Sequence, residues 1–132
     1  MKNLLLALML VLISTDTLAE WTKIFESDDK GGYTAYADMT TIRKAGNRVK
    51  MWTLLDYQIE QKASGVIFLS KTIRRDYDCK EEHIRILASK LFSWNMEGGK
   101  RVRTYNQPQP WEEVQPEKKD ETGWSVACSE SE

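Results

Sequence analysis

Two long stretches in the middle of the chain alternate residue by residue, and they restrict the fold more than any other feature. In Val49 to Gln58, one face carries Val49, Met51, Thr53, Leu55 and Tyr57, and the other carries Lys50, Trp52, Leu54, Asp56 and Gln58. A period of two belongs to a β-strand, whose successive side chains point to opposite sides. Large apolar residues occur on both faces, so this strand is expected near the centre of a sheet, partly covered on each side. After a turn at Gln61–Gly65, Val66 to Cys79 is the longest strand expected. Ile67, Leu69, Lys71, Ile73, Arg75, Tyr77 and Cys79 lie on one side, against Ser70, Thr72, Arg74, Asp76 and Asp78 on the other. That division predicts one core-facing side and one wet side, as in an antiparallel sheet. Lys71 and Arg75 interrupt the inner side, which places them near an edge with apolar stems covered and charged heads in water.

Shorter signals extend the sheet. Glu20 to Glu26 sets Trp21, Ile24 and Phe25 among polar residues as a first strand. Ser27–Gly32 is a turn, because paired glycines supply positive φ. Tyr33 to Ala37 is a second, aromatic strand. Asp38–Ile42 reads as a local turn held by side-chain bonds to nearby backbone. His83 to Trp94 is ambiguous in its second half, where Ala, Lys and Leu favour helix. Strand is the better reading, since Met96–Lys100 then makes a hairpin with Arg101 to Tyr105. The prolines of Gln107–Pro110 end the sheet. Asp120 to Cys128 is the best helix, with Asp120 or Thr122 as cap and Trp124, Ala127 and Cys128 on one face. Gly123 inside it would cost about 1 kcal/mol relative to alanine. The expected fold is mainly β: a curved antiparallel sheet of about six strands with one C-terminal helix.

The N-terminus carries an address. Lys2 precedes an unbroken apolar run from Leu4 to Ile13, and Thr17-Leu18-Ala19 offers small residues where a signal peptidase cuts. Residues 1–19 therefore read as a signal peptide, its apolar run too short for a permanent membrane helix. Removing them from the 132 residues leaves 113, one domain with one modest core. Cys79 and Cys128 are the only cysteines, and an even pair in an exported chain reads as one disulfide. Closing a loop of about 50 residues is worth roughly 4 kcal/mol on the entropic account. No cysteine follows the leader to accept a lipid, and no later segment is long and apolar enough to span a bilayer. An unanchored protein of a bacterial periplasm or exterior is expected.

Catalytic chemistry finds little to work with. The net charge is −1, whereas nucleic-acid binding wants a clear basic excess. The one histidine, His83, would have to serve any Ser-His-Asp or Cys-His set or zinc site, and a turn residue at the surface is the better reading. The neighbouring carboxylates Glu81-Glu82 and Glu112-Glu113 point apart along a strand and suit solvation, not a glycosidase pair. Gly98-Gly99-Lys100 lacks the spacing of a phosphate loop. No catalytic residue, cofactor or metal ligand is assigned. A basic group from two strands and an excess of aromatics suggest recognition instead, since Trp and Tyr are favoured interface anchors. Lys71, Arg74, Arg101, Arg103, Trp94 and Trp111 are the candidate binding surface.

The sequence also resembles a known family. Tyr36 to Trp52 (Y-A-D-M-T-T-I-R-K-A-G-N-R-V-K-M-W) is similar to the N-terminal signature of surface-adhesin protein E domains. Asp56-Tyr57, Ser70-Lys71, Asp76-Tyr77-Asp78-Cys79, Asn95-Met96-Glu97-Gly98-Gly99, Trp111-Glu112-Glu113-Val114 with Pro116, and Cys128 continue it in order. The resemblance covers nearly all of residues 20–132. It implies a curved antiparallel sheet with a helix tied to it by the disulfide, and a non-enzymatic bacterial adhesin for host extracellular-matrix or serum proteins. The alternative is a soluble periplasmic accessory or small-ligand-binding protein that shares only the scaffold.

Overall fold

A computed structural model describes residues 19–129, so the expected leader lies outside the described residues but for Ala19. The strands follow one another as an antiparallel meander: β1 (Thr22–Ser27), β2 (Tyr33–Ala45), β3 (Arg48–Ala63), β4 (Val66–Asp78), β5 (His83–Phe92) and β6 (Arg101–Tyr105). A two-residue strand, β7 (Glu112–Glu113), pairs with the far end of β5. The sheet is open, and one short helix, α1 (Trp124–Ser129), closes the described chain. The β-reading of His83 to Phe92 holds throughout. Among the described residues, no helix is long and apolar enough to cross a membrane.

Alternation in β3 and β4 puts Val49, Met51, Ile73 and Tyr77 on the face that α1 covers. There Val49, Met51 and Tyr77 join Ala37, Val114, Trp124 and Ala127 in a buried cluster, and Ile73 is buried as well. A second cluster, of Tyr33, Tyr57, Phe68 and Leu91, fills the other end of the sheet. Cys79, one residue beyond β4, bonds to Cys128 in α1, with Cα atoms 5.5 Å apart. The helix is too short to be stable alone, so this bond and the Trp124 contact hold it in place.

Four sequence expectations are corrected. Asp38–Ile42 is not a turn: β2 runs through it, and the ladder to β3 loses register between Asp38 and Arg43. The local bonds are present nonetheless. The Thr40 amide donates to Asp38 Oδ1 at 3.0 Å and the Thr41 hydroxyl to the Asp38 carbonyl at 2.6 Å, so they shape a bulge instead of a reversal.

The supposed wet side of β4 is largely dry, with Ser70, Thr72 and Asp76 all buried. The Ser93–Lys100 connection covers part of it: Ser70 Oγ donates to the Trp94 carbonyl at 2.7 Å and accepts from the Glu97 amide at 3.0 Å. Arg75 is not near an edge, because β4 lies between β3 and β5. It is 8% exposed, and its Nη1 donates to Thr53 Oγ1 at 2.8 Å and to the Thr122 carbonyl at 3.3 Å.

The helix begins at Trp124, preceded by a 3-10 turn at Pro116–Lys118. Gly123 therefore stands just outside it, at φ +82°, where a Cβ would come within 2.8 Å of Met51 Cε and 3.1 Å of the Tyr77 hydroxyl. Glycine is required there by backbone conformation and by space; it is not a weak point inside a helix.

Candidate binding surface

The six candidate surface residues do not meet in one place. Lys71 lies in β4 opposite Leu55 on one side and Leu91 on the other, and Arg103 is the next partner beyond Leu91. Burial, with Arg75 nearby, lowers the Lys71 pKa from its ordinary value, so Lys71 is not a free surface charge. Arg74 stands opposite Trp52 and Ala88, on the other face of the sheet. Arg101, at the start of β6, is exposed, whereas Arg103 Nη2 donates to the Ser64 carbonyl at 3.3 Å.

Trp111 is only partly available. Its ring lies 5.0 Å from the Arg48 guanidinium and 4.6 Å from that of Arg85. Both arginines pair with Asp76, whose side chain is fully buried. Burial alone would raise the Asp76 pKa, but hydrogen bonds and charge from Arg48 and Arg85 outweigh it and hold the carboxyl below its ordinary value. The cluster anchors the connection after β6 to the sheet.

Trp94 is different. It is 67% exposed at the head of a loop whose backbone is pinned at many points. The Trp94 amide donates to Gly98 O at 3.2 Å and the Gly98 amide to Asn95 O at 2.9 Å. Asn95 Nδ2 donates to Asp56 Oδ1 at 3.0 Å and Tyr57 O at 2.8 Å, while the Met96 amide donates to Asp56 Oδ1 at 2.9 Å. Met96 and Glu97 hold positive φ values, 53° and 62°. A loop tied down this way presents Trp94 and the exposed Met96 with little conformational freedom left to lose on binding.

Behind this loop, the face of the sheet away from α1 forms a groove of about 440 Å³, lined by Trp21, Trp52, Asp38, Arg43, Lys90 and Thr72, among others. Trp21 Nε1 donates to Glu97 Oε2 at 3.4 Å, joining the groove to the Trp94 loop. Lys90 Nζ lies 4.9 Å from the Trp52 ring centre. The Thr72 hydroxyl is buried and has no hydrogen-bond partner among the described residues. At the N-terminal end, the Glu20 amide donates to Asp38 Oδ2 at 3.3 Å. Sequence reasoning missed Trp52 and Lys90 as site residues. They lie in separate strands, and only the β3–β4–β5 register brings them together; the one available signal was an aromatic on the second face of a central strand.

No group of three or more His, Cys, Asp or Glu side chains suited to a metal occurs among the described residues. His83 opens β5, paired in register with Asp78 and Glu113. The arrangement is that of a small binding domain: an open sheet, a disulfide-held helix on one face, and a rigid aromatic loop beside a groove on the other. The sequence profile of the Surface-adhesin protein E family matches residues 21–129, and the chain belongs to that family. In crystal form II, Haemophilus influenzae protein E has a similar fold, with a TM-score of 0.60 at 12% identity, covering 73% of this chain and 80% of that one. Protein E from non-typeable Haemophilus influenzae gives 0.52 at 12% identity, covering 85% and 86%. No curated protein matches the chain by sequence.

Proposed function

We propose that this protein is an exported, non-enzymatic binding protein of the adhesin type, acting in the periplasm or at the surface of a Gram-negative bacterium. Its partners in this reading are host extracellular-matrix or serum proteins. Membership of the adhesin family supports it. The observation that carries it is Trp94, a large aromatic left 67% exposed on a loop that is otherwise tied down. Solvent-exposed aromatics on preorganised backbone are the usual anchors of protein recognition. Arg101, exposed at the start of β6 just beyond the loop, adds charge that would steer an acidic partner.

Export is part of the proposal and rests on residues 1–19. Cleavage after Ala19 would turn the Glu20 amide into an ammonium group facing the buried Asp38 carboxylate. Intact mass of the protein from its native host should begin at Glu20; a retained leader would overturn the export reading. Saturable binding to a panel of immobilised matrix and serum proteins, lost in Trp94→Ala with the fold intact, tests the adhesin reading. Cell fractionation with surface proteolysis decides the compartment. The groove lined by Trp21 and Trp52, with the unpartnered Thr72 hydroxyl, favours a second reading as a periplasmic small-ligand-binding protein. Failure of host-protein binding, together with a wholly periplasmic location, would leave that reading in place.

A further inference from the structure

On the helix side of the sheet a different cavity, of about 510 Å³, opens between β5, the Gln109–Gln115 segment and the turn before α1. Arg75 lines it, together with Ile84, Ile86, Val114 and Thr122. Arg75 as a residue is nine-tenths buried, yet none of the ion pairs among the described residues includes it. Its hydrogen bonds to Thr53 and Thr122 both start from Nη1, and the Tyr77 hydroxyl also lies against the guanidinium. A guanidinium has five N–H donors, and the Nε–Nη2 edge matches a carboxylate in two parallel bonds. An unpaired charge withdrawn from water carries a large desolvation penalty. Bonding neutral oxygens does not require such a charge, since a glutamine amide could donate to them as well.

We infer that this cavity binds a small aliphatic monocarboxylate, its headgroup on the free edge of Arg75 and its chain against Ile84, Ile86 and Val114. Glu112 and Glu113 line the same cavity and are exposed, so a ligand with a second anionic group would meet repulsion there. Arg85 and Lys118, also on the wall, are already engaged, Arg85 with Asp76 Oδ2 and Lys118 with Glu121 Oε1, each at 3.2 Å, which leaves Arg75 as the counter-charge. The cavity volume falls within the roughly 300–1,000 Å³ typical of small-ligand pockets. The site goes beyond the adhesin reading, and Trp94 takes no part in it.

The test uses the disulfide-bonded protein with octanoate as probe and octanol as its uncharged counterpart, followed by amide chemical shifts. Octanoate should give saturable shifts at Ile84, Ile86 and Thr122, with octanol at least tenfold weaker. Ile86→Trp, which fills the cavity and leaves Arg75 in place, should abolish the saturable response. Arg75→Gln should remove the preference for octanoate over octanol. If that variant does not fold, the Ile86→Trp comparison still decides. Equal binding of octanol and octanoate, unchanged binding in Ile86→Trp, or no saturable shift with octanoate would each overturn the assignment.

Discussion

The Tyr77 hydroxyl donates to the Thr122 carbonyl at 2.6 Å, and this bond joins the central strand β4 to the turn that launches α1. Tyr77 is fully buried, its ring 6.2 Å from that of Trp124 in an edge-on contact. Tyr77→Phe keeps the ring and removes the donor, leaving the Thr122 carbonyl to Arg75 alone. The expected loss is about 1–2 kcal/mol, read as a lower urea midpoint with an unchanged slope.

The same burial gives the domain an alkaline limit. Burial raises the pKa of Tyr77 above its ordinary value and pushes that of Tyr57 up to about 12. In the unfolded chain both phenols ionise near pH 10, so above that pH the folded state holds protons that the unfolded state has lost. Stability should therefore be complete below about pH 10 and fall as pH rises through 12. Tyrosinate absorbance should appear together with loss of near-UV circular dichroism. Ionisation of all five tyrosines near pH 10 with the fold retained would contradict this.

Asp76 sets the acid limit. Its carboxyl is held below the usual value by Arg48 and Arg85, so the stabilisation is present above the unfolded pKa of about 3.9 and is lost as pH falls through the folded value. Asp76→Asn leaves two guanidiniums without their anion and should cost about 2–3 kcal/mol. Because both guanidiniums also pack on Trp111, the variant should shift tryptophan emission as well. An unchanged spectrum would mean that Trp111 is held in place by other contacts.

The Cys79–Cys128 bond closes a loop with a sequence separation of 49 residues. Replacing both cysteines by serine should lower stability by about 2–5 kcal/mol. Amide exchange in Trp124–Ser129 should accelerate well before the sheet opens. Uniform loss of protection across sheet and helix would show that α1 is not a separately tethered unit.

Charge reversal at Arg101 should weaken binding to an acidic host protein and flatten its salt dependence, with little effect on stability. The double reversal with Arg103 should weaken it further and also loosen the β3–β4 hairpin, because Arg103 donates to the Ser64 carbonyl. Exposed charges are screened over about 8–10 Å at ordinary ionic strength, so binding that ignores salt would point to Trp94 alone.

Period-two alternation in β3 and β4, the glycine-marked hairpins and an even cysteine pair lay open in the sequence. Each depends on residues close together in the chain or on a count that allows one pairing. With strands joined in order by short turns, those local signals lead to the meander and to the Cys79–Cys128 staple. What the alternation could not tell is which distant segments would settle on the sheet's second face. Ser70, Thr72 and Asp76 look like solvent positions until the Ser93–Lys100 loop and the Trp111 segment fold over them. Arg75 looks like an edge residue until β5 closes on one side and the Gly123 turn on the other. Burial of a side chain depends on everything packed around it, and for these residues the covering atoms belong to segments remote in sequence. Tertiary packing alone therefore settled the dry polar face, the buried guanidinium and the positive-φ glycine before α1.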